Sequence, residues 1–265
     1  MSAAPTPNRP LTLLTIAGSD SGGGAGIQAD LKTFQAHGAY GLSVITSVTA
    51  QNTRGVDGVW DVPAEGVAAQ LHAVLSDFPI DAIKIGMLSN AAIVRSVASI
   101  LSEKRLDCPI VLDPVMVSST GARLLQADAI DDLRRLLLPL STLITPNRME
   151  AELLGVTNGS DGAVAVLVTG GDEPIAEEGS DTMRCVDVLL WRGERTEMRG
   201  DYIRTRHTHG TGCTLSAAIA ANLASGMEMA AAIDRAREYV RRAILAAPDI
   251  GSGHGPLGHW LEGRE

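Results

Sequence analysis

The sequence predicts an α/β fold of three layers, with helices on both faces of a mostly parallel central sheet. Short apolar segments alternate with segments of helical periodicity from Leu11 to about Leu154, which is the pattern of repeated βαβ units. Several apolar segments are rich in β-branched residues and have no polar face. Strands have this composition when helices cover both faces of their sheet.

Six strands and a hairpin are expected. The strands are Leu11–Ala17, Leu42–Val48, Ala82–Ile85, Ile110–Asp113, Leu143–Thr145 and Val164–Thr169. The hairpin joins Val186–Trp191 to Thr196–Met198, because these two β-prone runs flank a short polar segment.

Helical periodicity predicts seven helices. They are Ile27–His37, Ala64–Ser76, Ala91–Glu103, Ala129–Leu138, Met149–Leu154, Thr211–Ser225 and Met227–Ala246. Gly38 follows the first helix, Pro63 precedes the second and Pro139 follows the fourth, as expected at helix ends.

The length and the cysteine content indicate one ordinary domain. A chain of 265 residues buries roughly 70–75% of the surface that it exposes when unfolded. We expect a single domain over residues 11–265, preceded by a flexible, proline-containing tail over residues 1–10. Cys108, Cys185 and Cys213 have no CxxC spacing, which argues against a zinc ribbon or a disulfide framework and favours a reducing compartment.

The charge and the apolar runs argue against nucleic acid or a membrane as a partner. The formal net charge is −9 and aromatic residues make up 3% of the chain, whereas nucleic-acid binding uses positive surfaces and stacking rings. The first ten residues lack the apolar core of a signal peptide, and no apolar run approaches the roughly 20 residues that span a bilayer. We therefore expect a soluble, cytoplasmic protein.

The chemically distinctive residues follow the carboxyl ends of the predicted strands. They are Gly18-Ser19-Asp20, Gln51-Asn52, Gly86-Met87, Asp113-Pro114, Pro146-Asn147 and Gly170-Gly171. In an open α/β sheet the loops at this edge converge and bind ligands, which predicts a site there. The simpler alternative is that these residues only punctuate loops, but punctuation is expected at both ends of the strands.

Two glycine-rich segments open helices at this edge. Gly18–Gly26 exposes backbone N–H groups to a polar or anionic ligand, but it has neither the P-loop pattern nor GxGxxG. Thr208–Ser216 begins an alanine-rich helix, whose N–H groups and dipole stabilise an anion. There we expect a lowered thiol pKa for Cys213, which would make it partly thiolate and able to accept a proton. Packing of a small residue is the alternative.

Three polar residues are candidates for metal coordination. Asp113 ends a strand at the edge where ligands are expected to bind, so its carboxylate is well placed for metal or phosphate coordination. Asn147 and Glu150 lie three apart at a helix start, and Glu150 would hold magnesium through water, since Mg²⁺ keeps much of its hydration shell. A solvated helix start is the more common explanation of the latter pair. His207, His209 and His254 also lie near the predicted edge.

Several motifs resemble those of the hydroxymethylpyrimidine/phosphomethylpyrimidine kinases of thiamin biosynthesis, a branch of the ribokinase-like fold. The segments that carry the resemblance occur in the family's order over nearly the whole chain. They are Thr15–Asp20, Gly23–Lys32, Ser47–Gly55, Lys84–Leu88, Leu112–Met116, Ile144–Asn147 and His209–Ala217.

The resemblance implies an enzyme that uses ATP and Mg²⁺ to phosphorylate 4-amino-5-hydroxymethyl-2-methylpyrimidine. The monophosphate forms first and the diphosphate second, in a homodimer. The aminopyrimidine would be surrounded by Gly18, Asp30, Gln51, Met87 and Val115. In this arrangement Asp30 and Gln51 pair with the ring nitrogens and the amino group.

The resemblance also implies roles on the phosphate side. The catalytic loop that receives the γ-phosphate would be Gly210, Thr211, Gly212 and Cys213. The nucleotide would contact Asn147, Thr169, Gly170, Gly210 and Gly212, and Asp113 and Glu150 would serve the metal.

The chain departs from the family's pattern at two places, which leaves alternatives open. It has a short segment after Leu154, and Thr169 stands where some members have lysine. A vitamin B6 kinase would share the fold and the loop Gly210–Cys213, called the anion loop below. The Gln51 segment and the Asp30 helix nevertheless favour a pyrimidine. A catalytically silent pyrimidine-binding protein is the other alternative.

The acidic segment Asp172–Asp181 is expected to be a mobile lid.

Overall fold

The computed structural model describes residues 9–117, 121, 124–160, 164–171, 174–177 and 182–260. Its strands are β1 (Thr12–Asp20), β2 (Tyr40–Asn52), β3 (Gly55–Asp61), β4 (Ala82–Ile85), β5 (Ile110–Leu112), β6 (Leu143–Ile144), β7 (Ala165–Val168), β8 (Ile175–Ala176), β9 (Met183–Trp191) and β10 (Glu194–Asp201). Its α-helices are α1 (Gly26–Ala36), α2 (Ala64–Asp77), α3 (Ala91–Lys104), α4 (Ala129–Asp132), α5 (Arg148–Leu154), α6 (Thr211–Ala224) and α7 (Met229–Leu245).

The strands form one sheet in the order β10-β9-β7-β6-β5-β4-β1-β2-β3, with β8 paired to β9 beside this path. The six central strands, β2, β1, β4, β5, β6 and β7, run parallel. Antiparallel pairs occur only towards the two ends of the described sheet. The predicted mostly parallel sheet is confirmed.

Each face of the sheet packs against its own set of helices. One apolar cluster joins the sheet to α2, α3 and α5, and the other joins it to α1, α6 and α7. On β4, Ile83 and Ile85 belong to the first cluster and Ala82 to the second. Because side chains alternate along a strand, Lys84 lies on the same face as Ala82, beneath α1 and α6.

Two elements differ from the sequence prediction. β3 was not expected, because Gly55–Asp61 contains two glycines and two aspartates, which have low strand propensity. It forms by pairing with the end of β2. The helix predicted over Ala129–Leu138 is α-helical only as far as Asp132 and continues as a π-helix over Leu133–Leu137. A 3₁₀ turn containing Pro139 follows, since proline cannot continue the hydrogen-bonding pattern.

The short connection after α5 is long enough to join two parallel strands, β6 and β7. β6 and β7 pair in parallel on either side of it, so Arg148–Leu154 serves as the crossover helix that a parallel pair requires. In the predicted tail, Arg9 donates a hydrogen bond of 2.7 Å to Asp81, and residues 1–8 lie outside the described residues. Of the proposed lid, only residues 174–177 are described.

Candidate active site

Two glycine-rich loops pack against each other at the carboxyl edge of the sheet. Gly210 precedes α6 with a φ of +87°, and a Cβ at this position would overlap the carbonyl oxygen of Gly24. Only glycine therefore permits this approach. No side chain caps α6, and the Thr211 N–H donates to the Thr208 carbonyl at 3.3 Å, so the N–H groups of Gly212 and Cys213 are the ones available to an anion.

The structure contradicts the expected thiolate at Cys213. The residue is partly exposed by surface area, but protein atoms surround its thiol. This desolvation raises the pKa of Cys213 to about 12, and the nearby Lys84 offsets it only in part. Asp113 and Asp30 raise the pKa further. Cys213 is therefore a thiol at neutral pH.

A buried charge cluster lies beneath this loop, with Lys84 at its centre. Lys84 is fully buried, and its Nζ lies 3.0 Å from both carboxylate oxygens of Asp30 and 4.0 Å from Asp113 Oδ2. Burial alone would lower the pKa of Lys84, but the two carboxylates and Cys213 outweigh it and the pKa is raised. Burial also raises the pKa of both carboxyl groups, and Lys84 opposes that rise. Lys84 thus supplies a fixed positive charge below the anion loop.

The structure corrects the role expected of Asp30. Its side chain is fully buried and is occupied by Lys84 and by the hydroxyl of Thr15, which donates a hydrogen bond of 2.6 Å. It has no exposed atom with which to contact a ring. Sequence reasoning also assigned no role to Lys84, although a lysine inside the apolar run Ala82–Ile85 was a signal that it has a buried partner.

A hydrogen-bonded pair of an aspartate and a histidine joins the two glycine-rich loops. Asp20 Oδ2 lies 2.8 Å from His209 Nε2, and the Asp20 carboxylate also accepts hydrogen bonds from the N–H groups of Gly22, Gly24 and Ala25. Burial opposes ionisation, but these hydrogen bonds lower the pKa of Asp20. Asp20 therefore organises the first loop and attaches it to the second. Its role was not predicted, because the two residues are 189 positions apart.

Four further residues are expected around the ring, namely Gln51, Gly18, Met87 and Val115. Gln51 Nε2 is 3.4 Å from His209 Nε2. A Cβ on Gly18 would come within 3.1 Å of Met87 Sδ, so glycine leaves room beside that side chain. Val115 is half-buried in the loop after β5, and its N–H donates to the carbonyl of Asp113. The structure thus brings Gly18 and Met87 together beside the loops and places Gln51 beside His209.

Asn147 and Glu150 form a capping box at the start of α5. The Asn147 side chain accepts from the Glu150 N–H, and Glu150 Oε2 accepts from the Asn147 N–H, both at 2.9 Å. Glu150 Oε1 accepts from the N–H of Met116 at 3.2 Å. Both carboxylate oxygens of this buried residue therefore hold backbone, which gives Glu150 a structural role.

The loop Gly210–Cys213 borders a cavity of about 340 Å³. Its lining includes Thr169, Gly171, Thr211 and Gly212. Gly170 itself is a packing residue, since a Cβ there would overlap the carbonyl of Val186.

Both arginines and carboxylates line this cavity. Its basic residues are Arg199, Arg237 and Arg241, and its acidic residues are Asp187, Asp201, Asp234 and Glu238. Arg237 Nε donates to Asp187 Oδ2 at 2.8 Å, and Asp187 Oδ1 accepts from the N–H of Gly170 at 2.8 Å. Within the described part of the chain, the wall therefore has no excess of positive charge that would replace a lysine at residue 169.

The three-layer fold, with an anion loop at the carboxyl edge of its sheet beside a cavity of about 340 Å³, defines a class: the ribokinase-like kinases of small molecules. Residues 20–258 match the family model described as phosphomethylpyrimidine kinase. The hydroxymethylpyrimidine/phosphomethylpyrimidine kinase of Streptomyces coelicolor is 46% identical over 100% of both chains. The enzyme of that name from Bacillus subtilis is 43% identical over 93% of this chain and 94% of its own. The chain belongs to the phosphomethylpyrimidine kinase family.

Solved structures agree on the fold and include a second vitamin kinase. The ADP complex of Bacillus subtilis pyridoxal kinase has a TM-score of 0.81 and 34% identity, over 96% of this chain and 98% of its own. The phosphomethylpyrimidine kinase of Clostridium difficile has a TM-score of 0.71 and 37% identity, over 88% and 99%. Among the described residues, no helix is long and apolar enough to cross a membrane.

Proposed function

We propose that this protein transfers the γ-phosphate of ATP to 4-amino-5-hydroxymethyl-2-methylpyrimidine and then to the resulting monophosphate, in thiamin biosynthesis. The observation that carries the proposal is the position of Gly210–Cys213. This loop borders the cavity of about 340 Å³ on one side and packs against Gly24 on the other. A phosphate held by its N–H groups would therefore lie between nucleotide and acceptor. The names of the relatives support the choice of acceptor.

The direct test is an acceptor assay with purified protein, ATP and Mg²⁺. ADP release is measured with hydroxymethylpyrimidine, with its monophosphate, with pyridoxal, and without acceptor. We expect turnover with both pyrimidines above the rate without acceptor. Absence of turnover together with thermal stabilisation by the pyrimidine would instead identify a silent binding protein.

The residues present fit a bound Mg²⁺ at Asp113. Mg²⁺ is bound through one or two carboxylates, substrate phosphates and water rather than by an all-protein cage. The described residues contain no cluster of three or more histidine, cysteine or acidic residues that would hold a metal by themselves. The carboxylate of Asp113 lies beside the loop, with Oδ2 within 3.9 Å of where a Cβ on Gly212 would be. When bound, the ion would neutralise phosphate charge; Glu150 would act only by shaping α5.

The residues of this chain hold and orient the two substrates. The N–H groups of α6 bind the transferred phosphate, and Lys84 stabilises its negative charge from below without moving. Gly18 and Met87 border the ring, and Gln51 supplies an amide to its polar edge. Phosphoryl transfer needs positioning and charge stabilisation more than covalent participation. Positioning and charge stabilisation serve both steps. Only the first acceptor is an alcohol that must lose a proton.

The Cys213→Ala variant is expected to slow both steps by a similar factor, about tenfold. A thiol with a pKa near 12 takes no proton at pH 7.5, whereas a general base contributes about 10²–10⁴-fold. Turnover of the alcohol and of the monophosphate is measured separately, with Cys213→Ser as the control of matched size. A loss of a hundredfold or more confined to the alcohol would restore the base role.

Pyridoxal kinase activity is the second candidate function. The observation in its favour is the likeness to the Bacillus subtilis pyridoxal kinase over nearly the full length of both chains. Both acceptors are flat heteroaromatic rings with a hydroxymethyl group. The pyridoxal arm of the acceptor assay measures this activity directly.

We further propose a cytoplasmic homodimer. The three cysteines have no CxxC spacing, which suits a reducing compartment. On the β2–β3 edge, Val48 and Trp60 pair across the strands and are 48% and 62% exposed, which offers an apolar surface to a second copy. Sedimentation of the purified protein measures the assembly.

A further inference from the structure

A second cavity, of about 630 Å³, lies between α1, α7 and residues His259 and Trp260. It shares no lining residue with the cavity beside the anion loop. Three lining side chains are cationic, namely Lys32, Arg235 and Arg242, and no aspartate or glutamate lines it within the described part of the chain. The proposed reaction uses none of these residues.

This concentration of positive charge is unusual for the chain. Acidic residues outnumber lysine and arginine by 31 to 22, yet the charged side chains that line this cavity in the described part of the chain are all basic. Arg242 Nε lies 3.9 Å from the carboxylate of Glu238, which does not line this cavity. Arg235 has no ion pair among the described residues. Like charges in one cavity repel each other, and a bound anion removes that repulsion through charge-assisted hydrogen bonds.

The walls of the cavity are joined directly to both active-site loops. Lys32 Nζ donates a hydrogen bond of 2.6 Å to the carbonyl of Gly23 in the first loop. His259 Nε2 lies 2.9 Å from Thr214 Oγ1, in the first turn of α6. Burial and the nearby Lys32 lower the pKa of His259 to about 4, although the Leu257 carbonyl opposes this. His259 is therefore neutral near pH 7, and Lys32 with the two arginines supplies the charge.

We propose that this cavity binds an organic diphosphate, and that binding draws Lys32 away from Gly23 and so changes the affinity of the active site for its acceptor. Arg235 and Arg242 are seven residues apart on α7, which separates them by about 10.5 Å along the helix. That spacing suits several phosphate oxygens better than a single phosphate, since guanidinium groups bind them in bidentate pairs. A volume of about 630 Å³ also admits an organic group beside Tyr239.

The binding test uses the whole protein with its active site occupied by AMP-PCP and hydroxymethylpyrimidine. Calorimetric titration with pyrophosphate, and separately with the pyrimidine diphosphate formed by the proposed reaction, is expected to show one further site. The double variant Arg235→Gln/Arg242→Gln should bind at least about tenfold more weakly, because each arginine makes charged hydrogen bonds. The control Arg134→Gln/Arg195→Gln removes the same charge from exposed positions elsewhere and should bind like the parent.

The two ligands distinguish the sources of the diphosphate group. Tighter binding of the pyrimidine diphosphate supports an organic ligand, and equal binding overturns the part assigned to the organic group. Absence of a further site, or equal affinity in the parent and the Arg235→Gln/Arg242→Gln variant, overturns the site itself. Acceptor turnover is unnecessary for this measurement, so its failure is distinguishable from failure of the proposed function.

The coupling to the active site has its own measurement. At saturating ATP, pyrophosphate is expected to change the KM for hydroxymethylpyrimidine at least about twofold in the parent and in the control variant, and not in Arg235→Gln/Arg242→Gln. An unchanged KM in the parent despite binding would retain the site and overturn the coupling.

Discussion

Replacing Lys84 with methionine is expected to lower the free energy of unfolding by about 3–5 kcal/mol, because it leaves buried carboxylates without their cation. Asp30 is fully buried and Asp113 nearly so, and Lys84 lies between them. Turnover should also fall, since the fixed charge below the anion loop is lost. Chemical denaturation at pH 7.5 measures the stability, and the acceptor assay measures the activity.

Two further variants show whether the broken pair causes this loss. Lys104→Met removes a lysine from the exposed end of α3 and should change stability by less than about 0.5 kcal/mol. Asp30→Leu combined with Lys84→Met replaces both partners by apolar groups and should regain part of the stability. A loss below about 1 kcal/mol in Lys84→Met would contradict the buried pair.

The Gly210→Ala variant is expected to lower kcat/KM by about 10²–10³-fold. Its Cβ would overlap the Gly24 carbonyl at a backbone φ of +87°, so the loop must move and the first-turn N–H groups of α6 move with it. Loss of one such donor has an effect of this order in other oxyanion sites. Steady-state kinetics with the pyrimidine alcohol measures the change.

Gly226 provides the matched control for Gly210. It has nearly the same φ, +86°, at the other end of α6, but a Cβ there meets no atom within 4 Å. Gly226→Ala therefore introduces the same backbone strain without the overlap, and its kcat/KM should stay within about twofold of the parent. Equal activity losses in the two variants would attribute the effect to backbone strain and remove the argument from the approach of Gly24.

Much of the framework was predictable from local pattern. β4 was predicted with its observed bounds, Ala82–Ile85. Its run with two isoleucines is bounded by Asp81 and Gly86, which have low strand propensity. β3 was missed, since its pairing with β2 rather than its own composition makes it a strand. The predicted edge does carry the glycine loops, because the carboxyl ends of parallel strands meet there.

The candidate site was predicted less completely than the fold. Cys213 was expected to have a lowered pKa because it lies in the first turn of α6, but the dipole of a helix is a weaker influence than burial among protein atoms. Asp30 was expected to face the ring, yet it pairs with a lysine from another element. Neither environment can be deduced from residue spacing.

Sequence alone determined the order of the elements, the edge at which the ligand loops converge, and the resemblance to a family of kinases. These properties depend on side-chain periodicity and on short motifs. Only the tertiary structure decided which buried polar side chains pair with each other: Lys84 with Asp30 beneath the anion loop, and Asp20 with His209 between the two loops. The reason is that desolvation and Coulomb energies depend on distances between residues that are remote in the chain.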